Sequence, residues 1–62
     1  MHTANRIKDG FFEIIQDAQT FRIELYKDGT CIREIEENKM LTLDELRARL
    51  IHERTNYFMN TQ

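Results

Sequence analysis

The chain has 62 residues, nine Lys/Arg against eleven Asp/Glu for a net charge of -2, one cysteine and no proline. That length is near the lower bound at which a chain buries enough apolar surface to fold without a staple or a partner, so it is read as one small domain over residues 1–62. Cys31 as the single cysteine excludes an internal disulfide, and no Cys/His cluster has zinc-ligand spacing, so no metal or cofactor is expected and stability must come from packing, in part across subunits.

No apolar run approaches membrane-spanning length, and the opening stretch "MHTANRIKDG" lacks the apolar core of a secretory signal. A soluble cytoplasmic protein with no membrane partner is the expectation, and the lone thiol agrees with it. The acidic balance disfavours simple adhesion to phosphate backbones or anionic lipid. Charge is unevenly placed: residues 1–46 carry six bases and ten acids, whereas 47–62 carry Arg47, Arg49 and Arg54 against Glu53.

The tripeptide Lys-Asp-Gly occurs twice, at Lys8–Gly10 and Lys27–Gly29. Around the first of them, residues 5–18 read two ways. Ile7, Phe11, Ile14 and Ala18 have helical spacing, while Phe12 and Ile14 alternate as in a strand. Pairing favours the strand: a short turn at Asp17-Ala18 sets Ile14 against Phe21, Phe12 against Ile23 and Glu13 against Arg22. The second Lys-Asp-Gly is flanked by "FRIELY" and "TCIREI" and reads as a three-residue hairpin loop with a glycine bulge. That turn places Tyr26 opposite Thr30, Leu25 opposite Cys31, Ile23 opposite Arg33 and Phe21 opposite Ile35. A two-residue Asp-Gly turn would put Ile23 opposite Glu34, so the bulged turn is preferred.

The C-terminal helix has the strongest local signal. Thr42 and Glu45 form a Thr-x-x-Glu capping box, and Leu41 with Leu46 forms the matching hydrophobic staple, so a helix enters at Leu43. Leu43, Leu46, Leu50 and Tyr57 form the stripe that should cover Phe12, Ile14, Phe21, Ile23, Leu25 and Ile35. The fold class is α+β: a three-stranded antiparallel β-meander packed against one C-terminal α-helix, with a short strand or helix at the N-terminus. Both Lys-Asp-Gly segments are then turn chemistry; a phosphate-cradling loop would need further glycines and a helix directly after it.

Catalytic chemistry finds little support. Glu34 and Glu36 share a face by alternation, but a solvated acidic edge explains them better than a cation site. His52 has no second His or Cys within a helical turn, and Cys31, assigned to the inner sheet face, reads as a small apolar filler. A non-enzymatic protein is expected. Sheet-face insertion into a DNA groove has the right topology, but the outer face of Phe11, Glu13, Ile15, Arg22, Glu24, Tyr26, Ile32 and Glu34 has the wrong charge for it.

Protein interaction fits what is left over. Phe11, Tyr26 and Ile32 on the sheet, and Arg47, Ile51, Arg54, Tyr57 and Phe58 on the helix, are the candidate partner-binding residues, combining the aromatics and arginines in which binding energy concentrates. The expectation is a small regulatory module that binds a larger protein partner and forms a homodimer through its helix flank and tail. Such a protein suits a bacterial or bacteriophage accessory role. The alternative is a nucleic-acid-binding module using the sheet face or the Arg-bearing helix.

Overall fold

The computed structural model describes residues 3–60 as four strands and a helix: β1 (Thr3–Asp9), β2 (Phe12–Asp17), β3 (Ile23–Lys27), β4 (Thr30–Ile35) and α1 (Leu43–Asn60). The strands form one antiparallel sheet in the order β1-β2-β3-β4. The α+β meander-plus-helix architecture therefore stands, with four strands in place of three. The N-terminal ambiguity resolves as strand because Ile7 pairs directly with Ile14 across the first turn, and both are buried. Of the residues with helical spacing, Phe11 and Ala18 lie exposed in turns.

The two Lys-Asp-Gly segments form different turns. Asp9 pairs with Phe12, which leaves Gly10 (φ 64) and Phe11 as the turn residues, with glycine first as in a type II′ hairpin. Lys27 pairs with Thr30, which leaves Asp28 (φ 53) and Gly29 (φ 81), the two positive φ values of a type I′ turn. The expected three-residue loop is therefore replaced by a two-residue one. Its register cost is removed downstream: Tyr26 pairs with Cys31 but Leu25 with Arg33, so Ile32 is an extra, bulged residue, and Ile23 meets Ile35.

The β2–β3 connection also differs from the expectation. Ile14 pairs with Leu25, Phe12 with Lys27 and Glu13 with Tyr26, so neither Phe21 nor Arg22 belongs to a strand. A wider loop forms because the Asp17 carboxylate accepts hydrogen bonds from the backbone N–H of Gln19 (2.7 Å) and Thr20 (2.9 Å), while Phe21 N–H donates to Asp17 O at 3.0 Å. Phe21 closes that loop with φ 64, a left-handed conformation that removes it from the extended backbone.

The inner sheet face contributes Ile7, Phe12, Ile14, Ile23 and Leu25 to a core completed by Leu41, Leu46 and Leu50, with Ile35 and Tyr57 packed against it. Burying an aliphatic side chain of this size contributes roughly 1.5–3 kcal/mol, so these positions carry most of the driving force for folding. The capping box is formed in both directions: Glu45 N–H donates to Thr42 Oγ1 at 3.1 Å, and Thr42 N–H donates to Glu45 Oε1 at 2.9 Å. Leu41 and Leu46 are buried as a staple requires, but Leu43 is 57% exposed. The covering stripe is Leu46, Leu50, Glu53 and Tyr57, at steps of four, three and four residues along the helix.

Gln16 lies on the inner face and is fully buried. Its Nε2 donates to Phe21 O (2.9 Å) and Lys39 O (2.8 Å), and its Oε1 accepts from Leu41 N–H (2.9 Å). Asn5 Nδ2 donates to Leu41 O at 2.9 Å. These amides tie the segment leading into α1 to the sheet and so fix where the helix begins. The helix packs on β1 and β2. Arg33 Nη1 to Glu53 Oε1 at 2.8 Å joins it to β4.

Candidate functional site

Three surfaces surround this core. The first is the helix flank on the β1 side. Arg54 Nη1 reaches Asp9 Oδ2 at 3.0 Å, and the Phe58 ring stands edge-on to Phe12 at 5.7 Å, so this side of α1 lies over the β1–β2 end of the sheet. Leu43 (57% exposed), Ile51 (48%) and Phe58 (55%) share that flank with exposed Arg47. Met59, 66% exposed, continues the apolar surface toward the tail.

The interaction residues expected from the sequence divide here. Ile51, Phe58 and Arg47 are exposed, whereas half-buried Arg54 pairs with Asp9, and half-buried Tyr57 stands edge-on to Phe12 and Phe58 at 5.7 and 5.6 Å. Lys27 Nζ lies 5.9 Å from the Tyr57 ring centroid, a cation–π distance. Tyr57 and Arg54 thus hold the helix to the sheet and leave Ile51 and Phe58 outside.

The second surface is the outer sheet face. β1 brings Arg6 and Lys8 to it beside Glu13, and Arg6 Nε contacts Glu13 Oε2 at 3.1 Å. Arg22, although outside the strands, bridges Glu34 at 3.4 Å and Glu36 at 2.7 Å. The face is therefore less acidic than expected, since Arg6, Lys8 and Arg22 stand against Glu13, Glu24 and Glu34. Ile15 is buried on this side. Phe11 sits at the tip of the β1–β2 turn, 73% exposed. Half-buried Tyr26 donates its hydroxyl to Glu24 Oε1 at 3.2 Å; burial and then the Glu24 carboxylate raise its phenol above the ordinary value.

Cys31 belongs to this outer face, opposite Tyr26, and is exposed; its expected inner position followed from the wrong turn register. Its Sγ and carboxylate oxygens of Glu24 and Glu34 lie within 4.8 Å of one another, a donor set that could accept a divalent cation. The donors already have partners in the chain: Glu24 accepts from Tyr26, Glu34 from Arg22, and the thiol contacts Arg33 O at 3.6 Å.

The third surface is a cleft of about 200 Å³ between β4 and α1, lined by Leu25, Ile32, Arg33, Glu53, Asn56 and Tyr57 among others. Ile32 was expected on the outer sheet face; the bulge turns it to this edge, where it is 37% exposed. Its polar contribution is the Arg33–Glu53 pair, in which Glu53 is 5% exposed. Sequence reasoning missed Glu53, although its place between Leu50 and Tyr57 on the apolar stripe was a usable signal. Exposed His52 lies 3.1 Å from Asn56 on the helix surface.

Comparison with known proteins adds no assignment: no family model matches the chain, and no curated protein or solved structure matches it significantly. Among the described residues, no helix is long and apolar enough to cross a membrane.

Proposed function

We propose that this chain is a non-enzymatic protein-interaction module that acts by occupying a surface of a larger protein partner and that associates with itself. One observation carries the reading. The core closes with Leu46, Leu50 and Tyr57 as the helix contribution, and Phe11, Leu43, Ile51, Phe58 and Met59 are left 48–73% exposed. That is a large apolar excess for 62 residues, and contiguous patches of this kind favour association. Ile51 and Phe58 serve the helix-side contact, with Arg47 at its rim; Phe11 and Tyr26 present a separate sheet-side contact to a foreign protein. The exposed thiol of Cys31 suits a reducing, cytoplasmic setting.

The test uses immobilised wild-type protein beside Phe11→Ser and the double variant Ile51→Ser/Phe58→Ser, each checked by circular dichroism. The wild type is expected to retain a protein from the source cell that Phe11→Ser loses. Sedimentation equilibrium is expected to show dimers that the double variant lacks. Tight retention on nucleic acid that weakens steeply with salt would overturn this reading in favour of nucleic-acid binding.

A further inference from the structure

The protein partner proposed above, on which this inference rests, needs a point of attachment with a defined chemistry. We infer that the cleft between β4 and α1 takes one lysine or arginine side chain of that partner, its charged head on Glu53 and its methylene stem along Leu25, Ile32 and Tyr57.

The cleft exists because the helix covers only part of the sheet. α1 packs on β1 and β2, and β4 stays exposed from Thr30 to Glu34. Arg33 pairs with buried Leu25, so it sits on the inner face, and it crosses the gap to reach Glu53 at 2.8 Å. The remaining space is about 200 Å³. Pockets for drug-sized ligands and cofactors run to roughly 300–1,000 Å³, so this one suits a single long side chain.

Charge selects the occupant. Glu53 is 5% exposed, and among the described residues Arg33 alone donates to its carboxylate, which has acceptor sites to spare. The buried carboxylate acts at a low effective dielectric, whereas water screens the Arg33 side chain, 55% exposed. The interior of the cleft therefore favours a cation. Arg33 is itself an example, a basic head held on Glu53 from within the chain, and the partner's side chain displaces it toward solvent. Asn56 and Asn60 line the same cleft and add amide oxygens. Leu25, Ile32 and Tyr57 supply the apolar wall against which lysine and arginine bury their stems. An anion drawn to Arg33 would instead meet the less screened Glu53 carboxylate beside it.

Titration of the isotope-labelled full chain with end-blocked alanine-threonine peptides tests this, each peptide carrying one central lysine, arginine, norleucine or glutamate. The lysine and arginine peptides are expected to shift the amide resonances of Arg33, Glu53 and Asn56, and the other two to leave them in place. Glu53→Gln is expected to weaken the lysine peptide about tenfold, the loss of one charge-assisted hydrogen bond, and Arg33→Ala to strengthen it by removing the internal competitor. Circular dichroism checks both variants, and the wild-type comparison among peptides stands without them. Equal binding of norleucine and lysine would reduce the cleft to an apolar groove, preference for glutamate would make Arg33 the anchor, and no shift at millimolar peptide would leave no site; each overturns the inference. Any of these beside a partner still retained from the source cell leaves the interaction reading standing, whereas failure of that retention strikes the reading and not the cleft.

Discussion

Gln16 and Leu41, 25 residues apart, are joined by a buried hydrogen bond of 2.9 Å in which the side-chain oxygen of the first accepts the backbone N–H of the second. The same amide donates to the carbonyls of Phe21 and Lys39, so one side chain holds the β2–β3 loop and the entry to the helix together. Among the described residues, no buried side-chain nitrogen or oxygen lacks a partner.

Replacing Gln16 with leucine keeps most of the volume but strands the Leu41 N–H and two carbonyls. Because an orphaned buried polar group costs about 1–3 kcal/mol, Gln16→Leu is expected to lower stability by about 2–4 kcal/mol. Urea denaturation measures it, and a loss under 1 kcal/mol would mean that water replaces the amide.

How much of this was readable follows from the range of each interaction. The capping box at Thr42 and Glu45 is local and appears where the sequence places it. The β3–β4 register is not local. Gly29 does mark the turn, but the bulge at Ile32 that matches Ile23 to Ile35 depends on residues on both strands. The β2–β3 loop was misread because Phe21 resembles a strand residue, while its positive φ arises from contacts with Asp17. Gln16 had a readable sign, its period-two spacing from Phe12 and Ile14, but its acceptors and donor come from loops that pattern alone does not position. On the helix, spacing sufficed to leave Ile51 and Phe58 outside. The same spacing put Tyr57 on the covering stripe, where it packs; Arg54 is drawn inward by Asp9, whose position depends on the β1–β2 turn.

Both glycines have positive φ, and a Cβ built on either meets nothing within 4 Å. Any cost of Gly10→Ala or Gly29→Ala is therefore backbone strain and not crowding, at about 1–2 kcal/mol each. Gly29→Asn should recover most of the loss, since asparagine tolerates the left-handed region. Thermal melts of the three variants test this, and equal losses for Gly29→Ala and Gly29→Asn would point away from φ as the cause.

The Arg33–Glu53 pair is asymmetric: the Glu53 side chain is 6% exposed and the Arg33 side chain 55%. Solvent screens the arginine end, so the pair contributes less than a fully buried one. Arg33→Ala is expected to cost about 1–2 kcal/mol, mainly by leaving the Glu53 carboxylate unpaired, whereas Glu53→Leu/Arg33→Ala together should cost less than Arg33→Ala alone. A double-mutant cycle in urea decides this, and strictly additive losses would sink the coupling.

Acid stability is expected to depend on two carboxylates around the helix entry. Glu45 lies below the usual glutamate range, chiefly because it accepts the Thr42 backbone N–H, with Lys39 adding a favourable charge. Glu37 is lowered first by the Asn38 backbone N–H and further by Arg49, against an opposing effect of burial. Both groups hold their protons less tightly when folded than when unfolded. Their stabilisation is therefore fully present above the unfolded glutamate pKa and is lost as pH falls through the depressed folded values. A plot of unfolding free energy against pH should decline on the acid side of the carboxylate range, and Glu37→Gln/Glu45→Gln should flatten that decline while lowering stability at neutral pH. Thr42→Ala should behave differently. It removes the hydroxyl that caps Glu45 N–H, at about 1 kcal/mol, but keeps the backbone donor that lowers Glu45, so its curve should run below the wild type with nearly the same acid slope. A Thr42→Ala curve that loses the slope instead would show that the hydroxyl, and not the Thr42 backbone, sets the charge state of Glu45.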